Sequence, residues 1–152
     1  MQKALTIADL HKLYEEDEHL WYFENAKLIR EGKVDFLDFE HIAEVLEDMG
    51  KRDYREVFSR MKVLLVHLLK WIFQKEYRSK SWNLTMIEQR DILNFEFQHS
   101  QNLEKYGKEN FQEIYSKARK QASVETGLPI DTFPKEPPFT FNEVLNEDYL
   151  PD

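Results

Sequence analysis

The chain has 152 residues, a formal net charge of −8 and no cysteine. That length can bury one core unaided, and the missing thiols exclude disulfides, thiolate nucleophiles and cysteine-ligated zinc or iron–sulfur clusters. No apolar run approaches the roughly 18 residues a membrane span requires, and the start lacks the apolar segment of a secretory signal, so a soluble cytoplasmic protein is expected.

Proline first appears at Pro129, and the residues before it contain only Gly32, Gly50, Gly107 and Gly127. Each glycine closes a run with helical spacing, as expected where a chain turns left-handed at a helix C-terminus. No Asn-Gly or Asp-Gly hairpin signal and no long β-branched alternation occurs, which leaves a sheet without support. The first predicted helix runs from about Ala8 to Glu31, with Leu10, Leu13, Tyr14, Leu20, Trp21 and Leu28 on one stripe. A second, Phe39 to Met49, is capped by Asp38 and is expected to bury Phe39, Ile42, Ala43, Leu46 and Met49. A third, about Asp53 to Tyr77, is apolar over more than half its circumference and reads as the central spine.

The stretch RSKS offers Ser79 or Ser81 as the cap of a fourth helix reaching about His99. That helix has two apolar sides, Leu84, Ile87 and Phe95 on one and Met86, Leu93 and Phe97 on the other. Either the proline-containing C-terminal stretch or a second copy of the chain is needed to cover the extra side. A short helix around Leu103 precedes Gly107, and another, about Lys108 to Thr126, buries Phe111, Ile114, Tyr115, Ala118 and Ala122. Thr140 and Glu143 form a capping box for one last short helix. These elements predict an all-α, irregular helical bundle of about five to six helices with an extended C-terminal segment, in a single domain over 1–152.

Charge is segregated: residues 1–50 carry five bases against thirteen acids, and residues 51–90 carry ten against four. The two segments can neutralise each other within one fold, and the overall acidity and lack of a basic tail disfavour nucleic acid as the partner. Helical geometry also puts acids where apolar residues belong. Asp17 and Glu24 fall inside the first helix's stripe, Asp91 lies between Ile87 and Phe95, and Glu125 lines up with Ile114, Ala118 and Ala122. Buried carboxylates need partners, and His67, Arg60, Arg78 and Arg90 can supply them at the junction of the third and fourth helices. The resulting candidate polar cluster or ligand site is Asp17, Glu24, His67, Arg78, Trp82, Glu88, Arg90 and Glu125. Its leading reading is a structural network that fixes helix register; the alternative is a pocket where His67 and an acid move protons or the arginines hold an anion.

Glu16-x-x-His19 and Glu96-x-x-His99 have the spacing of di-iron bundle ligands, but no other helix supplies matching inward glutamates, so no metal or cofactor is expected. No glycine-rich phosphate loop or nucleophile elbow is present, and no catalytic residue is assigned.

The segments LYEEDEHLWYFENAKLIREG, LDFEHIAEVLEDMG, HLLKWIFQKEYRSKSWNLTMIEQR, ETGLPIDTFP and VLNEDYLP resemble the twenty-ninth domain-of-unknown-function family over residues 13 to 151. The resemblance implies an all-helical bacterial, largely cyanobacterial, protein with no established activity. It also implies recurring residues at Asp17, Trp21, Glu24, His67, Trp71, Arg78, Trp82, Glu88, Arg90 and Glu125. The chain departs from the pattern at Asn25, Val45 and Pro137, where threonine, an acid and cysteine are expected. The functional expectation is a non-enzymatic interaction or regulatory module that binds a protein partner or a second copy of itself. A small hydrolase or nuclease-like enzyme using the acid, His67 and arginine cluster is the alternative, and nucleic-acid binding through 51–80 is a second one.

Overall fold

Helix-capping chemistry divides the chain where the computed structural model, which describes residues 5–152, divides it. Thr6 and Asp9 form a capping box that opens α1, Ile7–Glu16. Asp17 then ends α1 in a non-helical conformation (φ −153°, ψ 81°) and accepts from the Leu20 backbone N–H, which starts α2, Glu18–Arg30. The single helix expected over this region is therefore two. Gly32, at φ +70°, closes α2: its N–H reaches Ile29 O and the Lys33 N–H reaches Leu28 O, the paired bonds of a left-handed C-terminal turn.

Asp38 opens α3, Phe39–Phe73, which continues without a break through Gly50. The predicted boundary there does not exist. Gly50 has no positive φ, so its helical neighbours propagate through it at the ordinary cost of a glycine. Ser79 caps α4, Lys80–His99, and Ser100 caps α5, Gln101–Glu109, which likewise runs through Gly107. The next helix, α6, spans Phe111–Thr126 and ends at the left-handed Gly127, and Thr140 with Glu143 opens α7, Phe141–Leu145. Among the described residues no strand occurs, as the all-α expectation requires. None of the helices is long and apolar enough to cross a membrane.

Two compact units divide the chain, one ending at Lys51 and the other spanning Arg52–Asp152, with α3 continuing from the first into the second. The first unit buries Leu10, Trp21 and Leu37, while Phe39, Leu46 and Met49, expected inside, are exposed. The second contains the main core. Val57, Met61, Leu64, Leu65, Leu68 and Leu69 of α3 pack with Met86, Leu93 and Phe97 of α4 and with Ile114, Tyr115, Ala118 and Ala122 of α6. The spine reading thus holds for the second half of α3. Gly107 is buried in this core at a tight approach: a Cβ there would lie 3.1 Å from Met61 Sδ and 3.2 Å from Phe97 Cζ.

Phe133, Phe139 and Val144 of the C-terminal stretch complete the core: Phe133 meets Phe73 of α3 edge-on, Phe139 meets Tyr115 of α6 edge-on, and α7 packs against α4, with Phe141 stacked on Phe97. Donors on the helices hold that stretch by its main-chain carbonyls. Tyr115 Oη donates to Pro134 O, Arg119 Nε to Phe133 O at 2.9 Å, Arg90 Nε to Val144 O at 2.8 Å and Asn94 Nδ2 to Leu145 O at 3.0 Å. Burial pushes the Tyr115 phenol up to about 12.

Candidate functional site

The carboxylates and cations of the sequence-predicted cluster do not pair as expected. In the first unit, Asp17 is exposed and is spent on capping α2, and Glu24 is half-buried. The break at Asp17 resets the helical register, so the projection from Leu10 that pointed both acids inward does not extend past it. In the second unit, Glu88, Asp91 and Glu125 are exposed, and among the described residues none of them forms an ion pair with His67, Arg78 or Arg90.

Arg78 and Arg90 instead satisfy helix C-terminal carbonyls, groups that lack a partner inside their own helix. Arg78 Nε donates to Trp71 O in the last turn of α3 at 2.8 Å, and its guanidinium lies 4.7 Å from the Trp71 ring centroid. Arg90, fully buried, donates to Val144 O in the last turn of α7, and its Nη2 has no partner among the described residues. A cavity of about 270 Å³ beside it is lined by Ile87, Asp91, Glu147 and Asp148. Burial lowers the Arg90 pKa, opposed by nearby Tyr149 and Glu147. Trp82 is half-buried with Lys70 Nζ 4.6 Å from its ring centroid, and Arg60 bonds Glu56 and Gln89. His67 Nδ1–H donates to Val63 O at 2.8 Å. Burial lowers its pKa and Lys70 adds to this, while the Val63 bond and the charge of Glu125 oppose it. Within the predicted set, the charge of Glu125 thus reaches His67.

The convergence of titratable groups lies elsewhere, in the first unit. Asp38, the N-cap of α3, is fully buried. Its Oδ1 meets His11 Nε2 from α1 at 2.8 Å, and its Oδ2 meets His41 Nδ1, one turn into α3, at 2.7 Å. Trp21 Nε1–H donates to Oδ2 at 3.0 Å, and the Asp38 backbone N–H donates to Asn25 Oδ1 at 3.2 Å. The Tyr14 ring stacks on His41 with centroids 4.0 Å apart and planes 17° from parallel, and Trp21 meets Tyr14 edge-on.

Burial raises the Asp38 pKa, but the bonds from His41 and Trp21 outweigh it and hold the carboxyl below its ordinary value. The bond to Asp38 raises the pKa of His41 against the opposing effect of burial, with Glu40 and Glu44 adding to the rise. Desolvation raises that of Tyr14, with help from Glu44 and Glu18. A buried carboxylate between two imidazoles can orient them for proton transfer or share them with a cation.

Sequence reasoning saw Asp38 only as a cap. The available signal was Asp38-Phe-Glu-His41, which has the same three-residue spacing as the two Glu-x-x-His elements considered for metal. In those elements His19 and His99 are exposed; His19 meets Phe23 edge-on and His99 lies tilted against Phe95. Among the described residues, the group placed to hold a metal ion is His11, Asp38 and His41.

A family model described as "Domain of unknown function DUF29" matches residues 13–150. No curated protein and no solved structure matches the chain.

Proposed function

Because the chain belongs to the DUF29 family, whose description assigns no reaction, we propose its role from its surface: a non-enzymatic interaction module that docks a basic, amphipathic helical segment of another protein. The observation that carries this reading is the outer face of α4. Leu84 and Phe95 are 64% and 58% exposed, and Ile87 flanks them at 43%, on a helix whose opposite side is core. Exposed apolar residues in register on one face favour a partner surface.

Exposed Glu88 and Asp91 sit on the same face, with Glu147 and Asp148 beside the adjoining cavity. These acids select the partner. A symmetric pairing of this face with itself would bring the carboxylates of both copies together, whereas a partner with lysine or arginine between its apolar anchors would neutralise them. Nucleic acid fits less well, since Arg60, Lys70 and Arg78 of the basic segment are engaged with Glu56, Trp82 and Trp71 inside the unit.

The test uses a synthetic helical peptide with leucines at i, i+3 and i+7 and lysines beside them, followed by fluorescence anisotropy. Binding that disappears in Glu88→Lys/Asp91→Lys and weakens in Leu84→Ser/Phe95→Ser supports the reading. No binding by the wild type, or equal binding by all three proteins, overturns it.

A further inference from the structure

The groups gathered around Asp38 are the ligand types of a borderline divalent ion. Two imidazoles and one carboxylate offer ligand atoms that all lie within 4.8 Å of one another. They come from separate places in the first unit, His11 from α1 and Asp38 with His41 from the start of α3. We propose that His11, Asp38 and His41 form a binding site for a zinc-class divalent cation, with three protein ligands and an open position on the exposed side of His11.

Three features beyond the donor set support this. The carboxylate is oriented from outside: Trp21 Nε1–H holds Oδ2, and Asn25 holds the Asp38 backbone, the outer bonds that ligating carboxylates require. The Tyr14 ring stacked on His41 fixes the plane of that imidazole. There is also an entry path, since the His11 side chain is 42% exposed and that of His41 19%, while Asp38 is sealed. Binding exchanges the two His–Asp38 hydrogen bonds for three metal bonds, one from each imidazole and one from the carboxylate. Each ring presents a nitrogen lone pair in place of an N–H, and the displaced proton goes to solvent from an imidazolium or to the other ring nitrogen of a neutral ring.

The ligands also select against the common hard ions. Calcium takes six to eight oxygens and magnesium an octahedron of oxygens and waters, and one buried carboxylate supplies too few. The positive N-terminal end of α3 opposes any cation held by charge alone, which favours ions that bond strongly to imidazole nitrogen.

The test uses the full chain after chelator treatment. Zinc is titrated by calorimetry, magnesium and calcium serve as parallel arms, and cobalt(II) is a spectroscopic probe. The expected result is one zinc per chain, a melting temperature raised by zinc but not by magnesium or calcium, and visible cobalt bands from a low-coordinate nitrogen and oxygen site. His11→Gln, a change at a half-exposed side chain, should weaken zinc binding at least about tenfold with helix content unchanged by circular dichroism, and His19→Gln should bind as wild type. Absence of zinc binding by the wild type would overturn the site, as would equal binding by wild type and His11→Gln. In either case the three groups would be only a hydrogen-bonded tie between the two helices.

Discussion

His67 shows what burial does to one side chain that lacks a strong opposite charge. Its imidazole is held neutral by desolvation and by Lys70, so its folded pKa lies below the ordinary imidazole value, with Glu125 only partly offsetting the shift. The unfolded chain then binds a proton that the folded chain refuses, and stability contributed by this residue is present above about pH 6.5 and is lost as pH falls through and below that value. His67→Gln keeps a donor near Val63 O and removes the titration. Denaturant unfolding at neutral pH and at about pH 5 should therefore show a smaller acid loss in the variant than in wild type; an equal loss would mean His67 is not the sensor. The acids were chosen from the sequence as polar groups on apolar faces and the cations as partners near the helix junction, a search that included Arg90, the one buried base among the described residues. It failed for Asp17 because a cap resets the helical register, and for Asp38 because the partner that gives it meaning, His11, lies on another helix, beyond the reach of local periodicity.

At the scale of elements, the caps were legible and some of the stops were not. Ser79, the Thr140–Glu143 box and the left-handed glycines 32 and 127 were readable because each acts through its nearest neighbours in sequence. Gly50 and Gly107 look the same locally, yet both lie inside helices, for different reasons. A Cβ at Gly50 meets nothing within 4 Å, so Gly50→Ala should stabilise the protein by about 0.5–1 kcal/mol through helix propensity. At Gly107 the same change gains that propensity but pushes on Met61, Phe97 and Phe141, an overpacking cost of about 1–3 kcal/mol, so Gly107→Ala should be neutral to destabilising. Chemical denaturation of the two variants side by side distinguishes a glycine kept by its backbone from one kept by its neighbours.

For the molecule as a whole, the all-helical class was readable from composition and spacing, whereas which exposed apolar faces stay open depended on where the last 25 residues settle. Removing everything after Gly127 takes Phe133, Phe139 and Val144 out of the core and strips Arg90 of its carbonyl partner. The truncated chain should bind a hydrophobic dye strongly and lose cooperative melting, while full-length protein does neither. The way that tail is fastened has a further consequence. Tyr115, Arg119, Arg90 and Asn94 grip peptide oxygens, which every amino acid supplies alike, so the clasp itself asks for no particular side chain between 133 and 145, and only the buried Phe133, Phe139 and Val144 tie the spelling there to the core. The tolerance is one-sided: the tail's exposed positions are free to drift in spelling, but the four hooks that catch it are not.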